Sequence, residues 1–391
     1  MRAGVARLLL GCAAGVCAAL AAAQSVNGDD SVLAQDLHEQ VLRLPVTVQN
    51  IYGREETRNI AITAFKPSGQ GPFPLVIVSH GRATADRRAQ QGRQRFESLA
   101  RYLVDKGFAV LVPTRVGYGD TYGDFDPEDH GSCAAMRVEP VSNAASDQVL
   151  ATLQFARTLP YVDASHWVAM GQSVGGFTTV AVAWRHPPGL VGAINFAGGA
   201  GGDPQNRPGQ PCSPVQIERL WRANAATAQV PMLWLYWEND KYWGADVPKR
   251  WHQAFTEGGG KAEMHTLPAI GADGHGGIGI DMNGWVPLVE AYFARIGFTT
   301  SGLMLRPPAS SHARLDDVAM VPTSQNNREG AYKRFLEAKL PRAFAIGPKG
   351  ATGWASGDWA IGRALGLCQR RNGARCKLYA VDDDVVWDPA Q

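Results

Sequence analysis

Ser173 stands in Gly171-Gln172-Ser173-Val174-Gly175, a Gly-x-Ser-x-Gly pattern. Trp167 to Met170, just before it, has the apolar run of a short buried strand. Gly176 to Trp184, just after it, has the pattern of a helix that opens on small residues. A serine between a strand and a helix in this pattern occupies a sharp, strained turn, and the flanking glycines leave room for neighbouring backbone. Its hydroxyl then stands at a helix N-terminus, where negative charge is stabilised. Ser173 is therefore a candidate nucleophile. The chain has 44 glycines in 391 residues, so the pattern alone is weak, and the partners must decide.

A serine hydroxyl needs a base to take its proton, an acid to orient that base, and donors for the oxygen that becomes negative. Upstream, Pro74 to Ser79 is a buried-strand run that ends in His80-Gly81-Arg82. A glycine there lets backbone N–H groups face an oxyanion, so Gly81 or Arg82, with Val174, are the candidate donors. Downstream, the strand Pro231 to Tyr236 is followed by Trp237-Glu238-Asn239-Asp240. Glu238 and Asp240 compete for the role of the acid. After a last strand, Ala262 to Leu267, the loop Gly271 to Gly277 carries His275, the candidate base. His265 falls within a strand and reads as a packed residue. His80 precedes the acid and is expected to shape the oxyanion loop. His130 lies in a long loop, as a pocket or solvated residue. Asp273 reads as a turn residue.

These loops must be brought together by the elements around them. Two strands, 41–49 and 57–65, come first. Strands at 74–79, 108–113, 165–170, 190–196, 231–236 and 262–267 then alternate with helices at 93–106, 142–158, 175–185, 214–226, 247–257 and 284–296. Such alternation predicts an α/β fold with a mostly parallel sheet and helices on both faces. Ser173, Asp240 and His275 all follow strands, so their loops converge on one sheet edge. Residues 198–213 form a Gly/Pro/Asn-rich insertion. Residues 299–325 read as a linker, and 326–391 as a small α+β C-terminal module without histidine, serving for packing or for interaction with a protein or envelope component.

In VIVSHG (76–81), PTRVGYG (113–119), GQSVGG (171–176), WENDKYW (237–243) and DGHGG (273–277) the chain resembles the α/β-hydrolase superfamily. Within it, the resemblance is to the dienelactone-hydrolase-like serine esterases, over about residues 40–298. In the dienelactone hydrolases themselves the nucleophile is cysteine; here it is serine, so a lactone substrate is not carried over. The resemblance implies hydrolysis of carboxylic esters through an acyl-enzyme without cofactor or metal, with Asp240 rather than Glu238 as the acid. A peptidase or thioesterase of the same fold, and an exported binding protein without catalysis, are the alternatives. Tyr118, Trp237 and Trp243 are the candidate substrate-binding residues. Arg82, Arg87, Arg88, Arg93 and Arg95 follow the oxyanion strand, while Tyr236, Trp237, Tyr242 and Trp243 lie near the acid. Together they suggest an ester with an aromatic or apolar body and an anionic group.

Composition points to export. Arg2 and Arg7 flank a basic start, Leu8 to Leu20 is apolar but too short for a membrane span, and Ala21-Ala22-Ala23 suits cleavage near Ala23. A periplasmic or secreted location follows, with 24–298 as the hydrolase domain. Removal of residues 1–23 leaves 36 basic residues (38 minus Arg2 and Arg7) against 36 acidic ones. That balance gives no reason to expect nucleic acid or a membrane surface as a partner. Four cysteines remain, allowing three pairings. Locality favours Cys133–Cys212 and Cys368–Cys376, and the spacings do not match a zinc site.

Overall fold

The structure is a computed structural model describing residues 32–34, 37–298, 309–357, 360–372 and 376–388. The expected leader (1–23) and the first part of the expected linker (299–308) lie outside the described residues.

Eight strands form the main sheet: β1 (Gln40–Gln49), β2 (Glu55–Phe65), β3 (Phe73–Ser79), β4 (Ala109–Pro113), β5 (Val162–Gln172), β6 (Leu190–Phe196), β7 (Met232–Trp237) and β8 (Ala262–Leu267). Their order is β1-β2-β4-β3-β5-β6-β7-β8. β1 pairs antiparallel with β2, and β2 antiparallel with β4; β4 through β8 run parallel. The central strands are covered on both faces, which is why Leu75 to Val78 and Trp167 to Met170 are near-continuous apolar runs with almost no exposure.

Six principal helices cover this sheet: Glu97–Asp105, Val138–Ala156, Val174–Trp184, Pro214–Asn224, Val247–Glu257 and Met282–Arg295. Strand order reverses around β3, which lies between β4 and β5. The crevice at the carboxyl ends of strands near such a reversal is where ligands bind in open α/β sheets. Register does the positioning here. Ser79 pairs with Gly171, so the loop that begins at His80 and the turn at Ser173 leave the sheet side by side.

The C-terminal region forms a separate antiparallel sheet from β9 (Arg342–Ile346), β10 (Thr352–Ser356), β11 (Lys377–Val381) and β12 (Asp384–Val385), in the order β10-β9-β11-β12. The helix Ala360–Asn372 lies along it. Residues 309–325 are not the free linker expected from sequence. Val321 is fully buried in the small core, and Leu315 and Val318 pack against it. Tyr332 donates to the Leu315 carbonyl, and the Ser310 N–H to that of Val385. These apolar residues follow no helical or strand period, because the segment wraps irregularly over its neighbour. The described helices include none long and apolar enough to cross a membrane.

Glu39 ties the start of the described chain to the segment before the helix Glu97–Asp105. Its carboxylate accepts from the Arg93 and Arg95 guanidiniums, each at 2.8 Å, and from the Ala34 N–H at 2.5 Å. Burial by itself raises the pKa of Glu39. The bonds from Arg95, Ala34 and Arg93 outweigh it and bring the group from 4.5 to about 2. A carboxyl whose folded pKa lies below its unfolded one stabilises the fold above the unfolded value. That contribution is lost as pH falls through the folded value. We expect the wild-type denaturation midpoint to fall more steeply from about pH 5 to pH 2 than that of Glu39→Gln. Parallel midpoint curves for the two proteins would remove Glu39 as a determinant of acid stability.

Candidate active site

The backbone places Ser173 at φ 59° and ψ −124°, a region that non-glycine residues seldom occupy. Strain of this kind costs about 1–3 kcal/mol and persists only where the surroundings enforce it. Here they do. A Cβ at Gly175 would lie 1.9 Å from the Ser79 carbonyl oxygen, so only glycine lets the helix enter this close to β3. The Ser173 N–H donates to the Phe196 carbonyl at 3.0 Å, which ties the turn to β6. Val174 is the first helical residue, so its N–H is one of the donors that a helix start leaves unpaired.

Asp240, 3 % exposed, follows β7 in a tight turn. Its Oδ1 accepts from the N–H groups of Tyr242 (2.7 Å) and Trp243 (3.2 Å), and its Oδ2 lies 3.0 Å from His275 Nδ1. An ionised carboxylate only accepts, so the imidazole proton sits on Nδ1 and Nε2 keeps its lone pair. The loop of His275 is fixed in turn. Asp273 Oδ1 accepts from the His275 and Lys241 N–H groups, and Gln172 donates to the His275 carbonyl. The Tyr242 ring stacks on the imidazole with centroids 3.7 Å apart, and Trp243 meets it edge-on at 5.4 Å. Glu238 is exposed and takes no part in this arrangement. His265 is half-buried on the edge strand β8 and bonds Glu263, which explains its place outside the site.

A cavity of about 700 Å³ opens over Ser173. Ser173, Val174, Tyr242, Trp243, Arg82 and His130 line it, and Cys133 and Cys212 form part of its far wall. Gly81 borders Ser173 directly: a Cβ there would lie 3.0 Å from the Ser173 Cβ and 2.7 Å from Gln172 Oε1. Another hollow of about 380 Å³, lined by Arg157, Val162 and Ser165, lies near the start of β5 and has neither histidine nor carboxylate in its lining.

Several sequence-based assignments need correction. Tyr118 does not line the cavity. It is fully buried, donates to Glu128 Oε2 at 2.7 Å and meets the His80 ring edge-on. Trp237 is also buried. It donates to Asp281 and supports the His275 loop, since Gly274 and Gly277 pack against its ring. Both are large residues in loops that border the site, and sequence does not show which way they turn. The arginine group divides as well. Arg82 and Arg88 share Asp126, while Arg93 and Arg95 bind Glu39 outside the cavity. Burial disfavours the ionised Asp126, yet the Arg82 and Arg88 guanidiniums outweigh it and hold its carboxyl below the usual range. Of the five, Arg87 reaches the cavity without an ion pair to a described residue. It is joined there by Arg207, which sequence analysis passed over. Gln172, Asp126, Arg115 and Glu128 were passed over too. The position of Gln172 within Gly-x-Ser-x-Gly, beside the candidate nucleophile, and that of Arg115 within PTRVGYG are the signals the sequence offers.

The arrangement can hold an imidazolium against a buried carboxylate and offers N–H donors beside the serine. Among the described residues no cluster of His, Cys, Asp and Glu could hold a metal ion. The family model for the dienelactone hydrolase family matches residues 60–275, more than half of the chain. The chain belongs to the dienelactone hydrolase family. It is accordingly a hydrolase of the α/β-hydrolase fold. Solved structures similar to it include a Klebsiella pneumoniae protein provisionally assigned as a dienelactone hydrolase, with 18% identity, 65% of this chain and 99% of that one covered, and a TM-score of 0.42. A cold-adapted esterase from an Arctic intertidal metagenomic library shares 17% identity, over 72% of this chain and 100% of that one, with a TM-score of 0.44. The acylaminoacyl peptidase of Pyrococcus horikoshii shares 15% identity, over 67% of this chain and 42% of that one, with a TM-score of 0.46. No curated protein matches the chain significantly.

Both disulfides are present: Cys133–Cys212, spanning 79 residues, and Cys368–Cys376, spanning 8. The first joins the loop after β4 to the insertion after β6 and forms part of the cavity wall. Arg207 donates to both of its sulfurs, and Ser213 to the Cys133 carbonyl. Closing a loop of that length contributes up to about 4 kcal/mol through the unfolded chain. Cys133→Ala/Cys212→Ala should therefore unfold at clearly lower urea concentration than the wild type. An unchanged midpoint under non-reducing conditions would mean that the wall stands without its bridge.

Proposed function

We propose that this hydrolase is an exported serine esterase that cleaves carboxylic esters through Ser173, His275 and Asp240. The observation that carries the reading is a serine held at positive φ at a helix start, opening on a cavity whose wall includes Tyr242, the ring stacked on a histidine whose Nδ1 is committed to a buried carboxylate. His275 Nε2 takes the hydroxyl proton as Ser173 Oγ attacks the ester carbonyl. Asp240 stabilises the imidazolium without taking its proton. The carbonyl oxygen becomes negative and is received by the Val174 N–H and by that of Gly81 or Arg82. Each such donor is commonly worth about 3 kcal/mol. The tetrahedral species collapses to an acyl-serine while His275 protonates the departing alcohol. Water, deprotonated by His275, then releases the acid and restores Ser173.

Export is supported by the two disulfides and by the apolar N-terminal run followed by Ala21-Ala22-Ala23. The small C-terminal unit serves for packing or interaction, with a protein or envelope component as the expected partner.

Ser173→Ala should abolish p-nitrophenyl ester hydrolysis and fluorophosphonate labelling while the protein stays folded by circular dichroism. His275→Ala should match it. Asp240→Asn should lower kcat by about 10⁴ through the wrong tautomer, whereas Glu238→Gln, exposed and outside the site, should stay within twofold of wild type. Near-wild-type activity in Ser173→Ala would refute the assignment.

The cavity wall supports a substrate with an aromatic or apolar body lying against Tyr242 and Trp243. Arg87 and Arg207 favour an anionic group on that body, although Asp86 and Asp203 share the wall. Matched neutral and carboxylate-bearing aryl esters should differ in kcat/KM in favour of the anion at low salt, with the advantage shrinking as salt rises. A higher kcat/KM for the neutral ester at both salt concentrations would leave only the aromatic part of this assignment.

A further inference from the structure

The loop that carries the Gly81 and Arg82 N–H groups rests on a buried ion pair. Arg115, just after β4, and Glu128, in the long loop that follows, are both fully buried. Glu128 accepts from Arg115 Nε at 2.5 Å and Nη2 at 3.1 Å, and from the Tyr118 hydroxyl at 2.7 Å. Burying a charge pair is costly, and well-packed apolar residues often fold at least as well. The other bonds of Arg115 show what this pair accomplishes. Its Nη1 donates to Ser79 Oγ at 2.8 Å and to the His80 carbonyl at 2.7 Å, and its backbone N–H donates to His80 Nε2 at 3.0 Å.

That last bond sets the tautomer. A backbone N–H can only donate, so Nε2 of His80 accepts and its ring proton sits on Nδ1. Nδ1 then donates to the Gly81 carbonyl at 2.7 Å. Burial, with the Arg115 charge nearby, holds the His80 pKa well below its usual value and keeps the ring neutral. Two successive carbonyls, those of His80 and Gly81, are therefore held from behind.

In a trans peptide the carbonyl of one residue and the N–H of the next point in opposite directions. Neither of these peptides is cis. Holding the His80 carbonyl aims the Gly81 N–H away from Arg115, and holding the Gly81 carbonyl aims the Arg82 N–H away from the His80 ring. Neither N–H donates to a described residue, and Gly81 lies directly against Ser173.

We propose that Arg115 and Glu128 are positioning residues: acting through His80, they orient the two peptides that present the Gly81 and Arg82 N–H groups, the candidates that join Val174 in receiving the oxyanion. This rests on the serine mechanism proposed above. Glu128 keeps Arg115 charged, aligned and electrically balanced, and Arg115 fixes both peptide planes before substrate arrives.

The test uses the mature protein with an aryl trifluoromethyl ketone, whose adduct with serine places an anionic oxygen where the ester oxyanion forms, and the matching secondary alcohol, which forms no adduct. Arg115→Met/Glu128→Leu removes both buried charges together. It should keep its unfolding midpoint, lose about a hundredfold in kcat with KM little changed, and bind the ketone more weakly by the same factor. The alcohol should bind as before. Arg115→Lys, which keeps a cation opposite Glu128, should show the same pattern at smaller amplitude, and it decides the question if the double variant does not fold. Wild-type kcat and ketone affinity in a folded variant would overturn the proposal. So would equal weakening of ketone and alcohol, which marks general loosening of the cavity. Ser173→Ala separates the two levels. If it binds the ketone as tightly as wild type, the serine mechanism itself fails. If it loses ketone affinity while the Arg115 variants keep theirs, only the positioning role fails.

Discussion

The candidate catalytic edge depends on the close approach of the helix Val174–Trp184 to the end of β3. With hydrogen at the Gly175 α-carbon, the helix start can lie against the Ser79 carbonyl; a methyl group there would lie 1.9 Å from its oxygen. That contact forces the chain to reverse within one residue between β5 and the helix, and Ser173 takes up the reversal at positive φ. The strain is offset by what the close packing buries. Phe177, Val180, Ala181, Val182 and Ala183 are all fully buried. Thr178 and Thr179 bond back to the carbonyls of Val174 and Gly175 and satisfy them inside the apolar layer. Because Ser79 is also the last residue of β3, the same contact holds the serine and the following His80-Gly81 loop at a set separation. The candidate nucleophile and candidate oxyanion donors from segments nearly a hundred residues apart are thus set by one packing distance.

Charge is arranged around this edge by the same logic of burial. The loops near the cavity carry many arginines, yet most of them are committed to carboxylates within the protein. Asp126 receives Arg82 and Arg88, Glu39 receives Arg93 and Arg95, and Glu128 receives Arg115. A guanidinium with almost no exposure needs such a partner, since its desolvation is otherwise uncompensated. The carboxylates lie far from their partners in sequence, up to 56 residues for Glu39 and Arg95. Arg87, and Arg207 from the opposite insertion, reach the cavity without such an ion pair among the described residues, and Asp86 and Asp203 share its wall.

The smaller sheet follows a different pattern. Its acidic run, Asp382 to Asp384, looks like a surface feature. Asp382 instead sits at positive φ in the turn between β11 and β12 and accepts the Arg342 N–H, while Asp383 pairs with the Arg342 side chain. Arg342 also donates to the carbonyls of Phe335, Leu336 and Ala338, satisfying the end of the preceding helix. One buried arginine thus closes the turn and the helix end together. These acids brace the module, and residues 309–325, expected to be part of a linker, are folded onto it.

The sequence by itself determined the elements and their order. Buried parallel strands are continuous apolar runs, and helices alternate with them at a period that a single chain displays. The expected strands at 74–79, 108–113, 190–196 and 262–267 accordingly coincide with β3, β4, β6 and β8 to within one residue. Ser173, Asp240 and His275 were legible as candidates for the same reason: a residue just beyond a strand of a parallel sheet must lie at one edge. Side-chain direction and long-range partnership were decided only by the tertiary structure. Tyr118 and Trp237 border the site in sequence but turn into the protein, because Glu128 and Asp281 supply acceptors for their polar atoms there. Arg82 and Arg88 look free in sequence but share an aspartate about forty residues away. Periodicity reports which face of an element is buried. It carries no record of which distant group will share that burial, because hydrogen bonding and charge neutralisation depend on distances that arise only when the sheet has assembled.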